Sequence, residues 1–247
     1  MVCSQIIETG RRLVIVDAQL LMPYAREVRS YAERLGKPID RVIITHAHPD
    51  HWMGLEIFRD LPLYALSETR QELAKIGDYL LEYKRKTHGD LIASSLVVPA
   101  HDVQEGDETL DGLTFRFSRV RDTEVPLMLM VELPELKVLV AQDLVYNHVY
   151  LVVGEKSEEG QYLFDGWIKC LQSLQIKGYE TVLAGHGEPA TSAIFQALVE
   201  YVGYAKQLFE SGIGEDELKQ KILIRYPGYR LPEMLDLMNL FLYHRTW

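Results

Sequence analysis

Four apolar side chains, Leu13–Val16, form a run too short for a helix and rich in β-branched residues, and the chain changes period directly after it. Tyr24, Val28, Tyr31, Ala32 and Leu35 recur at helical spacing behind Pro23, and Gly36, Lys37 and Pro38 supply a stop. A second apolar, β-branched run covers 42–45. Strand, helix and strand in this order define a βαβ unit, which demands a parallel strand pair with a crossover helix. The residues just beyond Thr45 then sit at the carboxyl end of a strand, where α/β proteins gather their ligands.

The rest of the chain extends this α/β pattern. Leu73, Ile76, Leu80, Leu81 and Tyr83 mark a helix over about 67–86, with Ser67 and Glu68 at its start. Strands are expected at 95–98, 113–117, 127–131 and 137–141, separated by turn material such as Glu105-Gly106-Asp107 and Asp111-Gly112. A helix near 161–175, a strand at 181–184 and helices near 190–211, 215–224 and 231–243 complete the reading. The apolar residues of the last helices, Leu235, Leu237, Met238 and Leu240 among them, read as core, with Asp236 and Asn239 on one polar face.

The segment after Thr45 reads His46-Ala47-His48-Pro49-Asp50-His51, which puts three of the chain's eight histidines within six positions. His46 and His48 project to one side of an extended backbone and offer two imidazoles to one cation. Pro49 redirects the chain, so Asp50 and His51 point to a neighbouring position at the start of a short helix near Gly54. Imidazole with carboxylate suits zinc, iron or manganese better than calcium or magnesium. A chain of 247 residues builds a core without a structural metal, so a cluster of this kind points to function.

Composition removes several classes of partner. The net charge of -10 and the lack of any basic block argue against a phosphate-tracking groove, and therefore against nucleic acid. Two cysteines, Cys3 and Cys170, make no disulfide framework, and Glu8, Arg11 and Arg12 interrupt the N-terminus before a signal sequence could form. A cytoplasmic protein with no membrane attachment and a small-molecule substrate is the expectation.

The histidine segment resembles the signature of the metallo-β-lactamase superfamily, and the rest of the chain agrees in order over about residues 5–190. Val14 to Asp17 resembles the aspartate-ending strand before the signature. Ala141-Gln142-Asp143-Leu144 resembles the segment of the metal-bridging aspartate, and Ala184-Gly185-His186-Gly187 the late strand-end histidine. The resemblance implies a four-layer αββα sandwich of two mixed sheets flanked by helices, a single domain over 1–247 with a helical C-terminal extension from about 190. It also implies two divalent metal ions, with zinc ahead of iron or manganese. His46 and His48 would bind the first, Asp50, His51 and His186 the second, and Asp143 would bridge them.

The family's third histidine has no counterpart in Arg119-Val120-Arg121-Asp122-Thr123-Glu124-Val125-Pro126. Asp122 falls nearest the expected place, with Glu124 as the alternative. The N-terminus looks short of a leading strand. That leaves a sheet edge which either ends a smaller sheet or is covered by a second copy in a homo-oligomer.

The activity implied is a metal-dependent hydrolase acting through a metal-bridging hydroxide on an ester, thioester, lactone or phosphoester, with Asp50 as catalytic residue. Tyr146 and His148, just past Asp143, are candidates for substrate contact. Two other classes fit the same residues: an iron-dependent sulfur dioxygenase or other redox enzyme of this fold, and a degenerate member that only binds a ligand.

Overall fold

The computed structural model describes residues 2–244. In chain order it contains β1 (Gln5–Glu8), β2 (Leu13–Val16), α1 (Met22–Arg34), β3 (Ile39–Ile44), α2 (Pro49–Trp52), β4 (Leu63–Ala65), α3 (Ser67–His88) and β5 (His101–Asp102). Then come β6 (Gly106–Leu110), β7 (Leu113–Arg121), β8 (Leu127–Leu133), β9 (Val138–Asn147), α4 (Phe164–Gln175) and β10 (Thr181–Gly187), followed by α5 (Ile194–Glu210), α6 (Glu215–Arg225) and α7 (Met234–Asn239). The fold is α/β, two mixed sheets flanked by helices. β1 to β5 form one five-stranded sheet in sequence order, with β1 antiparallel to β2 and the later neighbours parallel. β6 to β10 make up the other, in which β6 and β7 are antiparallel and β9 and β10 parallel.

The chain divides into two compact units, the first running to Arg119 and including Met128–Leu136, the second formed by Val120–Leu127 and the residues from Lys137 onward. In the first unit β2 is buried along its whole length, as a continuous apolar run in a parallel sheet should be. Leu13, Ile15, Ile44, Trp52, Met53, Phe58, Leu73 and Leu81 share one core. α1 contributes Ala25, a small residue at the point where the helix meets the 3₁₀ turn Met53–Phe58. There a Cβ on Gly54 would lie 2.0 Å from the Ala18 carbonyl oxygen and 2.6 Å from the Ala25 methyl, so only glycine permits the approach.

Three expectations for this unit need correction. The leading strand is present as β1, which forms a hairpin with β2 at the sheet edge. The 95–98 segment is not a strand. The Glu56 carboxylate accepts from the backbone amides of Ser94 and Ser95, Pro99 has none to offer, and Leu96, Val97 and Val98 pack instead against the core. Gly106 and Asp107, read as turn material, begin strand β6, where Asp107 pairs with Arg116.

In the second unit α4 and α5 pack together, with Trp167 and Leu171 buried on the former and Leu198, Tyr201 and Ala205 on the latter. The C-terminal segment is shorter as helix than expected. α7 ends at Asn239 and closes in a wider π-type turn over Leu240–His244. Leu235 and Met238 are core, whereas Leu237 and Leu240 are exposed. Asn239 is buried rather than on a polar face, and its side-chain amide donates to the Glu215 carbonyl at 3.1 Å. Among the described residues no helix is long and apolar enough to cross a membrane.

Candidate functional site

In the first unit the histidine segment leaves the end of β3 and turns into α2, with Pro49 in its first turn. Asp17 holds the turn in place. The residue sits in the left-handed region (φ 63°) directly after β2 and is fully buried. Its Oδ1 accepts from the Thr45 amide at 2.8 Å, and its Oδ2 from the Thr45 hydroxyl at 2.8 Å. Oδ2 also lies 2.6 Å from Nδ1 of His51. Burial pushes the Asp17 carboxyl above the usual carboxylate range, against the pull of His51 and Thr45 toward the ionised form. With the carboxylate as acceptor the imidazole proton resides on Nδ1, which leaves the lone pair of the His51 ring on Nε2.

Backbone bonds brace the same turn. The Ala18 amide donates to the His51 carbonyl at 2.7 Å, the Gly54 amide to Gln19 at 2.8 Å, and the Leu129 amide of β8 to Thr45 at 2.9 Å. The ring of His46 lies 4.1 Å from that of His51 and 4.8 Å from that of His48, so three imidazoles gather within one loop. Asp50 is the more open member, its Oδ1 3.9 Å from His51 Nε2 and its side chain 29% exposed. Trp52 and Met53 turn inward as core, and the indole of Trp52 donates to the Ala47 carbonyl at 2.9 Å.

In the second unit Asp143 lies inside β9, not in a turn after it, and β10 carries His186 alongside. The register between these strands is irregular at this point. Ala184 pairs with Gln142 and His186 with Tyr146, so β9 advances four residues while β10 advances two. Gln142 takes φ 45° to accommodate the bulge. Bulges of this kind re-aim side chains beside active sites, and here Asp143 comes to rest with Oδ2 3.3 Å from His186 Nε2. The Tyr146 hydroxyl donates to the same Oδ2 at 3.1 Å. On the other side Gly185 makes room, since a Cβ there would stand 1.9 Å from Asp143 Oδ1.

The turn before β8 separates the two acidic candidates. Asp122 is exposed at φ 55°, its amide bonded to Pro126 and its carbonyl backed closely by Gly166. Glu124 is buried, with an oxygen within 4.8 Å of an Asp143 oxygen. Tyr146 is buried too. His148 is exposed at φ 53°, its ring edge against Tyr229 at 5.5 Å and its carbonyl accepting from the Arg230 amide at 2.9 Å. Sequence reasoning took Asp17 only as a strand end and gave no part to Gly185. The acidic residue at the close of the first apolar strand was the available signal for the former.

The chain has recognisable relatives. The model of the Metallo-beta-lactamase superfamily matches residues 4–186, and the chain belongs to that superfamily. It is 24% identical to the alkyl/aryl-sulfatase BDS1 of Saccharomyces cerevisiae over 75% of this chain and 34% of that protein. It is 22% identical to a linear primary-alkylsulfatase of a Pseudomonas species over 87% of this chain and 49% of the relative. The chain thus spans half or less of the length of these relatives. The metallo-β-lactamase FIM-1 of Pseudomonas aeruginosa, solved in a mono-zinc form, superposes with a TM-score of 0.62 at 18% identity, covering 82% of this chain and 83% of that one.

Proposed function

We propose that the protein is a metal-dependent hydrolase of an ester, in which His46, His48, Asp50 and His51 of the first unit and Glu124, Asp143 and His186 of the second serve two divalent cations, zinc before iron or manganese. The observation that carries this reading is the buried carboxylate pair Glu124 and Asp143. Two ionised groups within 4.8 Å of each other repel by at least about 3 kcal/mol at an effective dielectric constant of about 20, so compensating positive charge favours both staying ionised. Imidazole nitrogen and carboxylate oxygen are donors that zinc, iron and manganese accept. We assign the place of the family's third histidine to Glu124 rather than to the exposed Asp122, because Glu124 is buried with a carboxylate oxygen within 4.8 Å of one of Asp143.

When bound, such cations lower the pKa of water toward neutrality and draw off the charge that develops on a substrate oxygen. The chain's residues supply the rest. Asp50, open to solvent and beside His51, takes the proton of the attacking water and passes it to the leaving group. Asp17 keeps His51 in one tautomer and orientation. His148, exposed five residues beyond Asp143, is the side chain offered to substrate. The compartment we propose is the cytoplasm, on cysteine content alone.

The names of the two curated relatives make a sulfate ester the first substrate to test, ahead of carboxylic esters, thioesters, lactones and phosphoesters. The test is metal analysis of the purified protein with turnover of that panel before and after chelation. The expected result is bound divalent metal and one ester class whose hydrolysis vanishes on chelation and returns with zinc. Iron accompanied by oxygen uptake replaces this reading with a dioxygenase, and a metal-free, inert chain with a ligand-binding protein.

A further inference from the structure

Tyr146 touches two of the three second-unit groups that the proposed centre would use, Asp143 and His186. Its hydroxyl donates to Asp143 Oδ2 at 3.1 Å, and its ring lies nearly parallel to the His186 imidazole, with centroids 4.7 Å apart and planes at 21°. The two backbones are register partners across β9 and β10, so the contact is built into the strand pairing and not into a loose side chain. Behind Tyr146 stands Trp167 of α4, 6.4 Å away ring to ring, whose indole donates to the Leu144 carbonyl at 3.1 Å. The tyrosine is 2% exposed. The phenol is turned to Asp143 and away from solvent, whereas His148, two residues on, is open to it.

We propose that Tyr146 is a positioning residue that sets the affinity of the chain for the cation served by Asp143 and His186, and that it makes no contact with substrate. This rests on the reading of the previous section. The phenol has one proton and spends it on Oδ2, which fixes the carboxylate about its Cβ–Cγ bond and presents Oδ1 on the side of Gly185. The stacked ring limits rotation of the His186 imidazole. Both ligands therefore arrive oriented, and the ordering entropy is already spent before a cation enters.

The test is Tyr146→Phe, which keeps the ring and removes the hydroxyl. Zinc affinity is read by competition with a chelator, coordination by the visible absorption of the cobalt-loaded protein, and fold integrity by melting of the metal-free chain. Y146F is expected to bind zinc at least about tenfold more weakly and to shift the cobalt spectrum, with metal-free melting lowered by no more than the few degrees that one lost hydrogen bond accounts for. Wild-type zinc affinity and spectrum in Y146F overturn the proposal, as does a change confined to KM, which would put the hydroxyl on substrate. A metal-free Y146F chain that melts well below wild type assigns Tyr146 to core stability and overturns it equally. If the wild-type chain itself binds no divalent cation, the hydrolase reading falls and this one with it; a zinc-binding wild type with an indifferent Y146F removes only this one.

Discussion

Gly185→Ala is the perturbation whose effect follows most directly from the coordinates. The added Cβ would stand 1.9 Å from Asp143 Oδ1, 2.7 Å from the Gln142 carbonyl carbon and 2.8 Å from the Asp143 nitrogen. A carbon and an oxygen in ordinary contact keep about 3.4 Å, so the carboxylate oxygen has to retreat by about 1.5 Å or the two strands have to part. Metal–ligand distances tolerate about 0.2 Å, several times less than that retreat. Overpacking alone costs roughly 1–3 kcal/mol, which in a chain of this size lowers Tm by roughly 2–12 °C. The decisive quantity is the extra stability conferred by zinc. If G185A weakens binding about a hundredfold, that increment falls by about 2.7 kcal/mol at saturating metal. Thermal unfolding with and without zinc reads both effects. Gly203→Ala, at a helical site with nothing within 4 Å of the new methyl, is the control expected to raise Tm by a few degrees at most and to leave the zinc increment unchanged. A zinc increment in G185A equal to wild type would refute the placement of Asp143 as a ligand held against Gly185.

Other consequences are open to simple assays. Asp50→Asn should lower kcat by roughly 10²–10⁴ while cation held through His46 and His48 remains, as metal analysis of the variant would establish; full turnover with bound metal counts against its role. Asp111 is held well below the usual carboxylate range, first by the Arg12 guanidinium, so its stabilisation is complete above its ordinary value of 3.8 and lost as pH falls through its lower folded value. Asp111→Asn should accordingly melt below wild type at pH 7, with the gap closing as pH drops below about 4, and a gap constant with pH contradicts the assignment. Burial pushes the Cys170 thiol up to about 11. At pH 8 its alkylation should run about a hundredfold slower in the native chain than in urea, and equal rates in a mass-spectrometric time course would show an open thiol.

The βαβ unit was legible because its signals are local: a β-branched run, a change of period, and Pro and Gly as punctuation. The histidine segment was legible for the same reason, since His46, His48 and His51 fall within one short loop. What escaped depends on partners distant in sequence. Ser95 looks like the start of a strand until Glu56, nearly forty residues earlier, takes its amide together with that of Ser94. Asp122 and Glu124 are equally acidic and two positions apart. The left-handed backbone at Asp122 and the close approach of Gly166 decide which one is buried. The space left by Gly185 and the stacking of Tyr146 on His186 come from a bulged register between two strands some forty residues apart, which no single-strand pattern encodes.

The central claim is that Glu124, Asp143 and His186 serve the same cations as His46, His48, Asp50 and His51. Anomalous diffraction at the zinc edge from crystals grown with excess zinc tests it most directly. The account predicts two peaks whose nearest protein atoms are imidazole nitrogens and carboxylate oxygens of these residues at about 2.0–2.2 Å. Peaks ligated by other residues, or no peak beside Asp143, would contradict it.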